Sequence, residues 1–277
     1  MTAREIEKKA AERRIDIINM VYRAKAGHIG GSLSSADILC ALYYHVLNVD
    51  PLIDFCSQPD RDRFILSKGH SVEGYYAVLA DKGFFPKSEL MSYQSFGSAF
   101  IGHPNRKVPG VEFNTGSLGH GLPLGVGVAL AAKRGGRAFH TYVLMGDGEQ
   151  AEGSVYEAAI AASHYKLDNI VAIIDRNRLQ ISGGTEEVMA LEPLGDRWRA
   201  FGFYVMEVDG HNMEELLEAF SIARNVRSAP VLLIANTVKG KGVSFIENRR
   251  EWHHGALSAE QYNRALSELR WRAGEGY

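Results

Sequence analysis

The chain has 277 residues, 45% of them hydrophobic, with 31 Lys+Arg against 33 Asp+Glu and two cysteines, Cys40 and Cys56. A near-neutral charge leaves no electrostatic footprint for nucleic acid or a membrane surface, and two cysteines are too few for a disulfide framework. No run approaches the ~18 apolar residues of a membrane span, and the charged N-terminus MTAREIEKKAAERRIDI lacks the apolar stretch of a signal peptide, so a cytoplasmic protein with a large core is expected.

Residues 3–26 place apolar side chains at Ile6, Ile15, Ile17, Ile18 and Val21 and predict a helix. A second helix is expected over 34–47, with Ser34 or Ser35 as its N-cap. RFILS (63–67) predicts a short buried strand, 70–82 a helix, 84–114 irregular backbone and 118–134 a helix rich in small residues. The pattern then becomes regular. Strands over 140–145, 169–175, 203–209 and 230–236 alternate with helices over 151–166, 193–201 and 213–226. The segment EEVMALEP (186–193) reads as loop and helix cap. Short apolar strands alternating with amphipathic helices predict one α/β domain over 1–277, a doubly wound, mostly parallel sheet with helices on both faces and a helical N-terminal elaboration.

Many of the 29 glycines gather between these elements, in AGHIGGS, NTGSLGHG, MGDGEQAEG and VKGKG. Loops that bring bare backbone close to a ligand suit large anionic groups. The triplet Gly146-Asp147-Gly148 ends one strand, and Asn177 lies 30 residues on (177 − 147), about one βαβ unit, at the end of the next. If those strands are neighbours, the Asp carboxylate, the Asn amide oxygen and a nearby backbone carbonyl form a hard-oxygen set suited to Mg²⁺, with a diphosphate completing the shell. Glycines 146 and 148 would let N–H groups approach that diphosphate. The plainer reading of the triplet is a tight turn.

The run GDGEQAEG followed by DNIVAIIDRNRLQISG resembles the thiamine diphosphate signature of GDG, an intervening helix and strand, then Asn. KAGHIGGSLSSADILCALYYHVL, RFILSKGHSVEGYYAVLA, GHPN, NTGSLGHGLPLGVGVALA and WHHGAL resemble transketolase blocks, in transketolase order and across nearly the whole chain. The resemblance is to the N-terminal, diphosphate-binding subunit of a split transketolase.

That resemblance implies a thiamine diphosphate-binding fold, with Mg²⁺ or Ca²⁺ held by Asp147, Asn177 and the Leu179 carbonyl. It implies that Gly116, Ser117, Leu118, Gly146, Gly148 and His70 line the cofactor. It places His28 and His103 toward the sugar and His254 against both sugar and cofactor. Glu152 and Glu157 match acids that help link two active sites across a dimer. Imidazoles suit the gripping and deprotonation of ketose hydroxyls near neutral pH. Arg176 and Arg178, beside Asn177, read as solvated loop charges.

The implied reaction moves a two-carbon ketol unit from a ketose to an aldose, the cofactor carrying the chemistry. The carboxylate that activates the aminopyrimidine, and most sugar-phosphate contacts, belong in the family to a second α/β domain for which this sequence has no room. A C-terminal, pyrimidine-binding partner chain is therefore expected, in an α2β2 assembly. Pentose phosphates, an apiose-derived sugar and a sulfonated ketose all remain open as substrates. A deoxyxylulose-phosphate synthase-like or 2-oxoacid dehydrogenase-like subunit, and a non-catalytic half, are the alternatives.

Overall fold

The structure, a computed structural model, describes residues 1–53 and 57–274, so Cys56 lies outside the described residues. The described helices and strands run α1 (Ala3–Ala24), α2 (Ile29–Ser34), α3 (Ala36–Ala41), β1 (Arg63–Leu66), α4 (Val72–Lys82) and α5 (Gly121–Arg134), then β2 (Thr141–Gly146), α6 (Gly153–His164) and β3 (Ile170–Arg176). The chain continues through α7 (Thr185–Val188), α8 (Leu194–Ala200), β4 (Tyr204–Asp209), α9 (Met213–Asn225), β5 (Val231–Asn236) and α10 (Ala259–Ala273). The five strands form one sheet in the order β1-β2-β3-β5-β4, every neighbouring pair parallel.

Alternation along each strand explains why both sheet faces are covered. Phe64, Leu66, Tyr142, Leu144, Val171, Ile173 and Leu233 point to one side, where α1, α3, α4 and α9 bury Ile6, Leu39, Tyr75 and Phe220. Ile65, Val143, Met145, Ala172, Ile174 and Leu232 point to the other, against Val126 of α5, Ala159 of α6 and Trp198 of α8. Strands buried on both faces read as continuous apolar runs, as parallel strands do. An outer layer packs α10 through Leu266 and Leu269 onto Ile17, Ile18 and Val21 of α1 and Ile29 and Leu33 of α2.

Several boundaries differ from expectation. Helix 34–47 divides into α3 and a π-helical turn over Leu42–Val46, and α2 precedes it. Neither serine caps through its side chain; Ser35 stands at the N-cap but its hydroxyl donates to the Gly31 carbonyl. The 118–134 helix begins at Gly121, because 114–120 is drawn out as a loop. The 151–166 helix begins at Gly153 after a 3-10 turn over Gly148–Ala151. Within EEVMALEP, residues 186–188 belong to α7.

Candidate active site

Parallel α/β sheets leave a crevice at the carboxyl ends of their strands. Here β2 and β3 are hydrogen-bonded neighbours, with Gly146 in register with Asp175. Asp147 and Asn177 therefore leave the same edge of the sheet side by side. A cavity of about 300 Å³ opens there, lined by the expected His28, His70, Gly116, Leu118, Gly146, Asp147, Gly148, Asn177 and Leu179.

Asp147 is buried. One carboxylate oxygen accepts the Gly148 N–H at 2.7 Å; the other accepts the Arg178 N–H and an Arg176 guanidinium N–H at 3.3 Å. Burial and the neighbouring Asp175 charge push the Asp147 carboxyl up, against the pull of Arg178 and Arg176. A divalent cation would relieve that deficit. Asn177 hydrogen-bonds Asp175 through Nδ2 at 3.2 Å, and its Oδ1 accepts the Leu179 N–H at 3.2 Å. The Leu179 carbonyl accepts Lys239 Nζ at 2.9 Å. One carboxylate, one amide oxygen and one carbonyl thus face a common cavity, a donor set of hard oxygens that fits Mg²⁺ or Ca²⁺.

The expectation for Arg176 is corrected. Its side chain is buried, and besides Asp147 it bonds Thr185 at 2.7 Å and Glu192 at 2.8 Å. It fixes Asp147 from behind. Arg178 is exposed, as expected, but its backbone N–H is the group that holds Asp147.

The histidines converge. The His28 ring centroid lies 4.7 Å from His254, 5.2 Å from His70 and 6.0 Å from His103. Burial first, then His254 and His103, pushes His28 down to about 4. Burial and Lys68 hold His70 well below its usual value. At neutral pH both rings are uncharged, and His28 Nδ1 is buried without a hydrogen-bond partner. His254 itself is exposed at the rim. Gly116 has φ +146°, and a Cβ there would stand 2.7 Å from the His103 ring, so only glycine lets that loop pass beneath the imidazole.

Ser117 is exposed and lines an adjoining cavity with Asn114, Thr115 and His120. Glu152 and Glu157 are exposed and lie outside both cavities. Several further lining residues are not singled out by the sequence pattern. Lys68, buried, pairs with Asp175; Lys239, buried, is pulled down to about 8 by burial and Lys68. Their available signal is a lysine beside glycine in the SKGH run and in VKGKG. His253, beside His254, contacts Lys239 Nζ through Nδ1 at 2.9 Å. Glu149, fully buried, accepts the N–H groups of Gly119 at 2.8 Å and Gly146 at 3.0 Å, joining the two glycine loops.

A parallel α/β sheet with oxygen donors, buried lysines and neutral imidazoles at its carboxyl edge defines a domain built for an anionic cofactor. The transketolase thiamine diphosphate binding domain matches residues 6–276, and the chain belongs to that family as one part of a transketolase-type enzyme. It is 52% identical over 269 residues to one of the two chains of the apulose-4-phosphate transketolase of Phocaeicola vulgatus, covering 97% of this chain and 95% of that one. It is 41% identical to the 6-deoxy-6-sulfo-D-fructose transketolase subunit SqwG of a Clostridium species, over 88% of each chain. The solved transketolase from Campylobacter jejuni superposes with a TM-score of 0.88 at 32% identity, covering 98% of this chain but 43% of that one. The chain thus spans less than half the length of the solved transketolases it matches.

Proposed function

We propose that this chain is the N-terminal subunit of a two-chain transketolase, binding thiamine diphosphate through a divalent metal and transferring a two-carbon ketol unit once a C-terminal subunit completes the site. The observation that carries this is the convergence of Asp147 and Asn177, from adjacent strand ends, with His28 and His70 on one cavity.

Asp147, the Asn177 amide oxygen and the Leu179 carbonyl would hold the metal. Lys68 and Lys239 add positive charge for the diphosphate. Thiamine diphosphate, when bound, supplies the carbon centre that cleaves and reforms the ketose C–C bond. The rest falls to this chain's side chains. Neutral His28, with Nδ1 unpartnered, is placed to accept a proton or hydrogen bond from a sugar hydroxyl. His103 and His254 flank it and extend that polar wall toward the cavity mouth. Because burial keeps His28 and His70 uncharged, neither ring repels the metal.

The relatives named for apulose-4-phosphate, at 52% and 46% identity, make that sugar the first donor to test. The test is calorimetric titration with thiamine diphosphate, with and without Mg²⁺, followed by ketol-transfer assays of the chain alone and mixed with a C-terminal-half protein. Metal-dependent binding, with turnover only in the mixture, is expected. Turnover without a partner, or binding indifferent to metal, would overturn the proposal.

A further inference from the structure

Below the histidines, α4 presents a fully buried carboxylate, Glu73, that none of the roles above uses. It accepts three hydrogen bonds: from the His28 backbone N–H at 2.8 Å, from Ser32 Oγ at 2.6 Å and from Tyr93 Oη at 2.7 Å. The other end of the same peptide unit is held too, because the Gly27 carbonyl accepts the Gly255 N–H at 2.9 Å. Gly255 directly follows His254. The Gly27–His28 peptide is thus clamped between Glu73 and the His254 loop. Gly27 must be glycine, since a Cβ there would lie 2.6 Å from Glu73 Oε1.

The same helix reaches the third histidine. Tyr76, three residues on and therefore on the same face of α4, donates its hydroxyl to the His103 carbonyl at 2.9 Å. Tyr93, bonded to Glu73, begins the loop that ends at His103, and Gln94 Nε2 donates to Tyr93 Oη at 2.9 Å. His70 lies one turn before Glu73. One helix face therefore registers the backbones that carry His28, His70, His103 and, through Gly255, His254.

We propose that Glu73 is a positioning residue: by clamping the Gly27–His28 peptide and anchoring Tyr93, it sets the mutual alignment of the four imidazoles. This rests on the proposed function in one respect, that the imidazoles face a ketose. A group displaced by about 1 Å from its productive position costs roughly 100-fold in rate, so alignment of this kind acts on kcat. A merely structural carboxylate would act on stability alone.

The test uses Glu73→Ala, Glu73→Gln and Tyr93→Phe. Imidazole resonances are read by NMR on the chain alone, and kcat and donor KM on the enzyme assembled with a C-terminal half. In Glu73→Ala the His28, His103 and His254 ring signals should shift or broaden while those of His140 and His164 stay. Its kcat should fall about 10- to 100-fold, with donor KM and thiamine diphosphate affinity changed less than about threefold. Glu73→Gln keeps an oxygen for the His28 N–H and should recover to within about fivefold of wild type. Unmoved ring signals and kcat, with only a lowered melting temperature, overturn the positioning role. If Glu73→Ala does not fold, Tyr93→Phe decides by the same readouts. A wild-type assembly without ketol transfer defeats the proposed function instead, and the ring signals still decide for or against Glu73.

Discussion

Asp147 sits among opposing influences: a buried carboxylate near a second one, Asp175, with Arg176 behind it and backbone N–H groups on both oxygens. Removing its charge should leave the fold standing, because Arg176 retains Glu192 and Thr185. Removing it should also take away the single charged metal ligand. Loss of even an outer partner of a metal site costs about 10- to 100-fold in affinity, so Asp147→Ala should weaken Mg²⁺-dependent thiamine diphosphate binding by about 100-fold or more. Isothermal calorimetry reads this directly, and an unchanged affinity would remove Asp147 from the ligand set. The histidines make a different prediction. His28 is pushed down from 6.5 to about 4 and His253 to about 3, in each case mainly by burial. Between pH 6.5 and 4 the unfolded chain takes up protons at these positions and the folded chain does not. Stability should therefore be complete above about pH 6.5 and be lost as pH falls toward 4. Melting curves across that window should show the loss, and His28→Asn should flatten it.

At the scale of elements, Asp37 on α3 ties distant parts of the chain together. It accepts Arg14 Nη1 of α1 at 3.1 Å and His211 Nδ1, from the β4–α9 turn, at 2.7 Å. His211 Nε2 accepts the Val238 N–H just after β5, which fixes the proton on Nδ1. Burial alone would raise the Asp37 carboxyl, but Arg14 and His211 hold it down to about 2. Breaking a buried pair by deleting one partner costs about 3–5 kcal/mol, so Asp37→Ala should lose that much in urea unfolding, where Asp37→Asn loses less. The elements legible in the sequence are those with one dominant signal. The five strands are legible because each is a short apolar run closed by polar or glycine-rich turns, and the placement of Asp147 and Asn177 follows from them. α2 is not, because IGGSLS has poor helical propensity and is held helical by complete burial against its neighbours. α10 escapes notice despite its capping box, Ser258 with Gln261, because its apolar residues are few and its surface is charged. Arg176 reads wrongly from sequence because nothing local shows that Thr185 and Glu192 fold back over it. Glu73 gives no signal at all, since its partners lie 20 to 45 residues away.

At the scale of the whole molecule, surface continuity links the cavity to an uncovered helical face. The cavity passes from Gly116 and Leu118 to Ser117 and His120 in the adjoining recess. Gly119 backs directly onto Glu152, whose Cβ would lie 2.6 Å from a Cβ at that glycine, and Ser154 bonds the Gly119 carbonyl at 2.9 Å. From there α6 runs outward with Glu157 exposed and Ile160 58% exposed, beside Gly127 and Ala131 on the open side of α5. Small and apolar residues between two acids suit a covered contact better than a solvated one. Under the proposed function this is where another subunit joins the catalytic cavity. Ile160→Asp should leave the melting temperature of the chain alone nearly unchanged, since an exposed substitution shifts stability by about 0.5 kcal/mol or less. The same change should weaken assembly with the C-terminal half, seen by sedimentation. Ketol transfer should fall at low protein concentration and recover as concentration rises, because the chemistry is intact and only association is impaired. Assembly and activity that match wild type at every concentration would place the interface on another face.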